Sequence, residues 1–203
     1  MKFSSRLIEE AVEEFAKFPG IGRKSALRHV LFLLKQEIHV THRFTQALNN
    51  LREHIQYCKR CHNVSDEPIC EICKNPLRDT STICVVEQIT DLIAIENTHQ
   101  YNGLFHVLGG VISPIDGISP EKLHINTLIE RIKTEPIREV ILALNSKMES
   151  ETTAFYITKK LKDLSIPNLK ITTIARGVPI GSELEYTDEV TLGRSILART
   201  IYE

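Results

Sequence analysis

Cys58-Lys-Arg-Cys61-His-Asn-Val-Ser-Asp-Glu-Pro-Ile-Cys70-Glu-Ile-Cys73 is the stretch whose reading decides the fold. Two Cys-x2-Cys pairs stand eight residues apart. Each pair turns tightly enough to aim both sulfurs at one point, so Cys58, Cys61, Cys70 and Cys73 can close a tetrahedral shell around Zn2+. A filled four-sulfur shell leaves no open position for a substrate, so such a site is structural. The loop is too short to bury a core, and the metal would supply its folding energy. Two disulfides or unrelated thiols are the alternatives. Helical sequence precedes the cysteines and an alternating strand and helix pattern follows them, so the stretch reads as a hinge between two parts.

Working outward, the chain has 203 residues and the composition of a soluble globular protein, enough for one or two domains with cores of their own. The first residues hold no apolar run of signal-peptide length, and no stretch reaches membrane-spanning length. A cytoplasmic location is expected, and a reducing compartment suits five cysteines that ligate metal better than a disulfide framework. The fifth, Cys84, lies in the run Ile83-Cys-Val-Val and reads as a buried apolar filler. The net charge of -1 is unevenly spread. Residues 1–80 hold 13 Lys/Arg against 10 Asp/Glu, and residues 81–203 hold 12 against 16. A polyanionic partner is therefore to be sought at the N-terminal end.

That end is helical. Leu7, Ile8, Ala11, Val12 and Phe15 recur at helical spacing, with Ser4 or Ser5 as a cap. Pro19-Gly20-Ile21-Gly22 breaks the period. A second helix follows with Ala26, Leu27, Val30, Leu31 and Leu34 on one face, and a third, from Thr41, turns Phe44, Leu48, Leu51 and Ile55 inward. In the turn, Gly20 and Gly22 permit positive φ and close approach of another backbone, and the next helix points its free N–H groups outward. Lys24 and Arg28 lie four apart on one helical face, with Arg23 beside them, so these cations can reach one nucleic-acid backbone from the same side. A tight helical turn carrying solvated cations is the plainer reading. A nucleotide P-loop is excluded, because Arg23 separates Gly22 from Lys24 and no strand precedes the turn.

Beyond the cysteines, short apolar runs alternate with amphipathic stretches. Thr82–Glu87, Phe105–Leu108, Val140–Leu144 and Lys170–Ala175 read as strands; 91–97, 125–132 and 152–164 read as helices. The alternation predicts a mostly parallel sheet with helices on both faces and a functional crevice beyond the C-terminal strand ends. Glu87, Glu149 and Glu151 fall at that edge. Such carboxylates can share a Mg2+ that bridges to phosphate. Alternatively, acids in the first turn of a helix complement its dipole, with Ser150 as cap. His106 reads as a satisfied core or edge histidine, and Val190, Leu192, Ile196 and Leu197 suggest a packed C-terminal helix.

These pieces together resemble the bacterial recombination mediator family RecR over essentially the whole chain. The resemblance is carried by Phe18-Pro-Gly-Ile-Gly-Arg-Lys-Ser-Ala26, the four cysteines, the stretch from Gly103 to Gly117, and Ala175-Arg-Gly-Val-Pro-Ile-Gly-Ser-Glu-Leu-Glu-Tyr186. It implies an α+β chain in four parts: a helix-hairpin-helix region at 1–56, a four-cysteine zinc finger at 57–80, an α/β Toprim-like domain at 81–175, and a Walker-B-like segment with a helix at 176–203. The implied role is non-enzymatic: a tetrameric ring clamp on DNA, working with RecO and RecF to load the recombinase onto gapped DNA coated by single-strand binding protein. By position, Gly20, Gly22, Arg23, Lys24 and Arg28 match the family's DNA-contacting turn. Glu87, Glu149 and Glu151 match its Toprim acids, associated with partner binding more than with catalysis. Ser150 replaces a common glycine between the paired acids, and Glu149-x-Glu151 replaces the Asp-x-Asp of catalytic Toprim enzymes.

The alternative function is a Mg2+-dependent nuclease or phosphotransferase using those three acids. Strand passage would also need a tyrosine nucleophile presented to DNA, and none of the five tyrosines stands in such a context. A protein-only scaffold is a third reading, and it requires no affinity for DNA.

Overall fold

The computed structural model describes residues 4–201 and divides after Ile55 into two units. In the first, α1 (Arg6–Ala16), α2 (Arg23–Leu34) and α3 (Ile38–His54) follow one another. Val12 of α1 meets Ala26 and Val30 of α2, and Ile8, Phe15, Ile21 and Leu27 pack around them. Ile21 is thus the apolar plug of the turn. Ser5 precedes α1, but its side chain makes no capping bond.

The third helix departs from expectation. It starts at Ile38, about a turn before Thr41, and buries no residue. Phe44, Leu48 and Leu51 are 43%, 42% and 53% exposed, and Leu31 and Leu34 of α2 also face solvent. Helical periodicity finds an apolar face, but it cannot say whether the same chain covers it.

The second unit begins at Gln56, before the first cysteine pair. The four-cysteine loop is therefore grouped with the α/β unit. Strands β1 (Gln56–Tyr57) and β2 (Val64–Ser65) pair antiparallel, and α4 (Glu71–Lys74) follows Cys70. Then come β3 (Asp79–Val86), α5 (Ile89–Glu96), β4 (Gly103–Val107), α6 (Ile125–Thr134), β5 (Glu139–Ala143), α7 (Met148–Asp163), β6 (Lys170–Thr173) and α8 (Glu189–Leu197).

The last four strands form one wholly parallel sheet in the order β4-β3-β5-β6. Both faces are covered, which is why β3 and β4 read as continuous apolar runs. On one face Ile83, Val85, Leu104, Val140 and Leu142 meet Leu128 and Ile132 of α6 and Ile157 and Leu161 of α7. On the other, Cys84, Val86, Phe105 and Val107 meet Leu92 of α5, with Ile72 of the cysteine loop packed against them. Cys84 is the apolar filler its context predicts, and burial pushes its thiol up to about 12. The chain runs outward from β3 to β4 and then crosses back to β5. The order in which strands are added therefore reverses between β3 and β5, and a crevice opens at their C-terminal ends.

Helix α7 starts at Met148 with Lys147 in the N-cap position. Glu149 and Glu151 lie inside its first turn, not in a preceding loop, and Ser150 is a buried helical residue, not the cap. Helix α8 buries none of its residues, so the apolar stripe around Val190, Ile196 and Leu197 is left uncovered by the described residues.

Candidate functional sites

At the hairpin turn, Gly20 takes φ +78, a left-handed conformation that favours glycine. The Ile21 N–H donates to the Phe18 carbonyl at 3.1 Å and the Ala26 N–H to the Gly22 carbonyl at 2.9 Å, which closes the turn onto α2. Gly22 is different. Its φ is -80 and a Cβ there would meet nothing within 4 Å, so the chain's own packing does not require glycine. No side chain caps α2, and its first N–H groups stay open beside Arg23, Lys24 and Arg28. All three cations are exposed, and none is in an ion pair among the described residues.

The four cysteines converge. Their Sγ atoms all lie within 4.8 Å of one another, with Cys61 and Cys70 at 3.5 Å, near the edge of about 3.8 Å expected for sulfurs around one zinc ion. All are buried and none is in a disulfide. The Cys70 N–H donates to Cys58 Sγ at 3.3 Å, and the Cys58 N–H to the Asn63 carbonyl at 2.7 Å. Four thiols this close cannot ionise together without a cation. Hydrogen bonds with Cys70 and Cys73 push Cys61 up, while the bond from Cys61 pushes Cys70 down. The donor set thus fits zinc.

This loop is joined to the sheet by several polar contacts. The Val107 N–H, at the end of the outer strand β4, donates to the Cys61 carbonyl at 2.8 Å. Arg60 grips Glu135 bidentately at 3.1 and 2.8 Å and donates to the Cys73 carbonyl at 3.2 Å. The same carboxylate accepts from Arg131 at 3.2 Å, and Arg131 donates to the Phe105 carbonyl at 2.8 Å. Burial raises the Glu135 carboxyl, but hydrogen bonds from Arg60 and Arg131 outweigh it and hold the group below the usual carboxylate range. His62 stacks on His124 at 3.7 Å between ring centres, with His106 edge-on to it. His106 is buried with both ring nitrogens engaged, Nε2 at the His124 carbonyl and Nδ1 facing Arg131. It is the satisfied core histidine its position predicts. This joint is invisible in sequence because Arg60 and Glu135 lie 75 residues apart. One signal was available: Arg131 falls on the helical face of Leu128 and Ile132, where a charge needs a partner.

At the crevice, Glu87 follows β3 and is nearly buried. Its two carboxylate oxygens accept from the Asn145 N–H at 2.7 Å and from Asn145 Nδ2 at 2.8 Å. Glu151 is ion-paired with Arg176, and Glu149 is exposed. The three acids are not gathered: among the described residues the cysteines are the one group of His, Cys, Asp or Glu whose ligand atoms converge. Thr153, also buried, donates to the Glu149 carbonyl at 2.7 Å and accepts from the Ile112 N–H at 2.9 Å, which ties the loop after β4 to the start of α7.

A helical hairpin with an open, cationic helix start, a four-thiolate finger and a parallel sheet with acids at its switch point define a DNA-binding protein of the Toprim class. The chain matches, in order, the RecR helix-hairpin-helix over residues 8–52, the RecR four-cysteine zinc finger domain over 55–75, the Toprim domain over 81–175 and the RecR C-terminal region over 177–200. It is similar to the recombination protein RecR of Amoebophilus asiaticus, 56% identical over all of both chains. It is also 57% identical to that of Phocaeicola vulgatus over 99% of this chain and 97% of the relative, and 56% identical to that of Porphyromonas gingivalis over 98% and 95%. The chain belongs to the RecR family of recombination proteins. Its four cysteines are a structural zinc site. No helix among the described residues is long and apolar enough to cross a membrane.

Proposed function

We propose that the protein is a recombination mediator that encircles DNA as a homo-oligomeric, tetrameric clamp. In the cytoplasm it works with RecO and RecF to load the recombinase onto gapped DNA coated by single-strand binding protein. The observation that carries the reading is the hairpin. Gly22 carries no side chain and a Cβ there would meet nothing within 4 Å, so the turn leaves room for another backbone to approach. The open N–H groups of α2 with Arg23, Lys24 and Arg28 suit a phosphate backbone, and Gly20 holds the turn that aims them. Helix-start N–H groups and cations suit phosphate, and phosphate contacts carry no sequence information, so the binding proposed is independent of sequence.

Assembly is supported by apolar surface left uncovered in a single chain. It includes Phe44, Leu48 and Leu51 on α3, Val190, Ile196 and Leu197 on α8, and a groove of about 350 Å3 lined by Leu7, Phe15 and Leu33 among others. A ring adds the few cations of each subunit through high effective concentration. The non-enzymatic reading is supported by the partners of two of the three acids. Asn145 occupies both oxygens of Glu87, and Arg176 stands at Glu151 where a metal ion would otherwise supply the positive charge. We assign Glu87, Glu149 and Glu151 to partner binding ahead of Mg2+.

The test is fluorescence anisotropy on labelled gapped DNA across a salt series with Mg2+, followed by inspection of the same DNA for cuts. Affinity that falls log-linearly with salt, with intact DNA, supports the clamp. Nicking that disappears in Glu149→Ala replaces it with a Mg2+-dependent nuclease, and no affinity at any salt replaces it with a protein scaffold.

A further inference from the structure

The zinc centre brings a charge that its surroundings must answer. Four thiolates around Zn2+ carry a formal charge of about -2, and the sulfurs are buried. Two arginine groups beside the finger already have carboxylates. Arg78 is matched one to one by Glu96 at 2.8 Å and is neutral as a pair. On the other side, Glu135 alone serves both Arg60 and Arg131, so that group holds one positive charge in excess. Its other contacts, the carbonyls of Cys73 and Phe105 and the ring of His106, carry no net charge to cancel it. The neighbouring carboxylate, Glu130, is paired with Lys133.

Of the two arginines in that group, Arg60 is the one bonded to the finger. Arg60 lies inside the first cysteine pair, and its Nη1 crosses to the Cys73 carbonyl of the second. Glu135 holds the guanidinium by its other edge, so it cannot swing into solvent without breaking a bidentate pair.

Resting on the zinc assignment, we infer that Arg60 is the outer-sphere counter-ion of the metal centre, a positioning residue whose charge slows loss of zinc. A cation held at the finger offsets the negative charge that the four thiolates carry once zinc is bound, so it favours the loaded centre over the empty one. The relation is reciprocal. The anionic centre supplies the charge that the Arg60–Glu135–Arg131 group lacks, and metal loading thereby tightens the joint between finger and sheet.

The experiment uses the zinc-loaded full chain. Zinc release to a chromogenic chelator is followed for wild type, Arg60→Met, Arg60→Lys and Lys59→Met, after circular dichroism shows the same fold. Absorption of the cobalt-substituted proteins is recorded in parallel. Loss of an outer-sphere partner changes metal affinity roughly 10–100-fold, so Arg60→Met should release zinc at least about tenfold faster. Its thiolate-to-cobalt charge-transfer band should move to lower energy, because the sulfur electrons lose a nearby positive charge. Arg60→Lys, which keeps the charge, should restore both readouts most of the way, and Lys59→Met should match wild type.

Wild-type release with an unshifted band in Arg60→Met overturns the inference. So does Arg60→Lys behaving like Arg60→Met, which would make the role one of shape, and so does equal acceleration by Lys59→Met. If Arg60→Met does not fold, Arg60→Gln against Arg60→Lys makes the same comparison. A wild-type protein that binds no zinc sinks the metal assignment itself, a result distinct from all of these.

Discussion

Arg131→Met removes the guanidinium that ties α6 to β4 while keeping most of the side chain's volume. The Arg131 side chain is 8% exposed, so its bonds are made away from water. The substitution deletes a charge-assisted bond to Glu135, about 1.5–3 kcal/mol, and strips the donor from the Phe105 carbonyl, about 1–3 kcal/mol. Together the two terms come to about 2.5–6 kcal/mol, which brackets the roughly 3–5 kcal/mol that breaking one side of a buried pair costs. The assay is urea unfolding of the zinc-saturated protein followed by far-UV circular dichroism. With a slope of about 2 kcal/mol/M, the midpoint of the α/β unit should fall by roughly 2 M. Arg131→Met with Glu135→Met should be more destabilised than Arg131→Met alone, because the bidentate Arg60–Glu135 pair survives the single variant and is lost in the double. A midpoint shift under about 0.5 M, or a double variant no worse than the single, would refute the claim that this network holds the joint.

Lys24→Gln with Arg28→Gln should leave the fold intact and lower the slope of log affinity against log salt by about 1.8 for each hairpin engaged on duplex; an unchanged slope removes the hairpin from the interface. Cys58→Ser should lose zinc and several kcal/mol of stability, on the order of what a structural metal supplies, measured by metal content and melting. For His106, burial is the main cause of a pKa pushed down to about 3, with the Arg131, His62 and His124 charges adding to it. The folded state then binds fewer protons than the unfolded one between about 3 and 6.5, so this group's stability is complete above about 6.5 and is lost as pH falls. His106→Gln should flatten the pH dependence of the urea midpoint between pH 7 and 4, by about 1.4 kcal/mol per unit at its steepest; a difference curve with no slope contradicts the assignment.

Local patterns were legible in the sequence and nonlocal pairings were not. Cysteine spacing fixed the finger because the sulfurs of each pair are three residues apart and need no distant element. The apolar runs at Ile83 and Phe105 announced a sheet covered on both faces. Their order could not be read, because nothing local tells β5 to pass β4 and lie against β3. The position of Glu87 at a strand end puts it at the crevice, but its partner Asn145 lies 58 residues away and no local pattern joins the two. The third helix shows the opposite failure. Phe44, Leu48 and Leu51 form a genuine stripe, but a stripe is turned toward whatever covers it, and one chain does not cover this one.

Charge is handled differently at the three sites, and the difference bears on how a protein of net charge -1 can hold a polyanion. At the crevice, Glu87 and Glu151 are answered by Asn145 and Arg176. At the finger, thiolates and guanidinium groups are set against each other. At the hairpin, Arg23, Lys24 and Arg28 have no acidic partner among the described residues, and the helix start beside them adds its own partial positive charge. Whole-chain charge is therefore a poor guide, since a phosphate within a screening length of about 8–10 Å responds to the local set of charges. About three such cations make a weak contact in one subunit, and phosphate contacts multiply in affinity when copies share one DNA. The steepness of the salt dependence should consequently count hairpins per clamp, which makes it a measure of assembly as well as of binding.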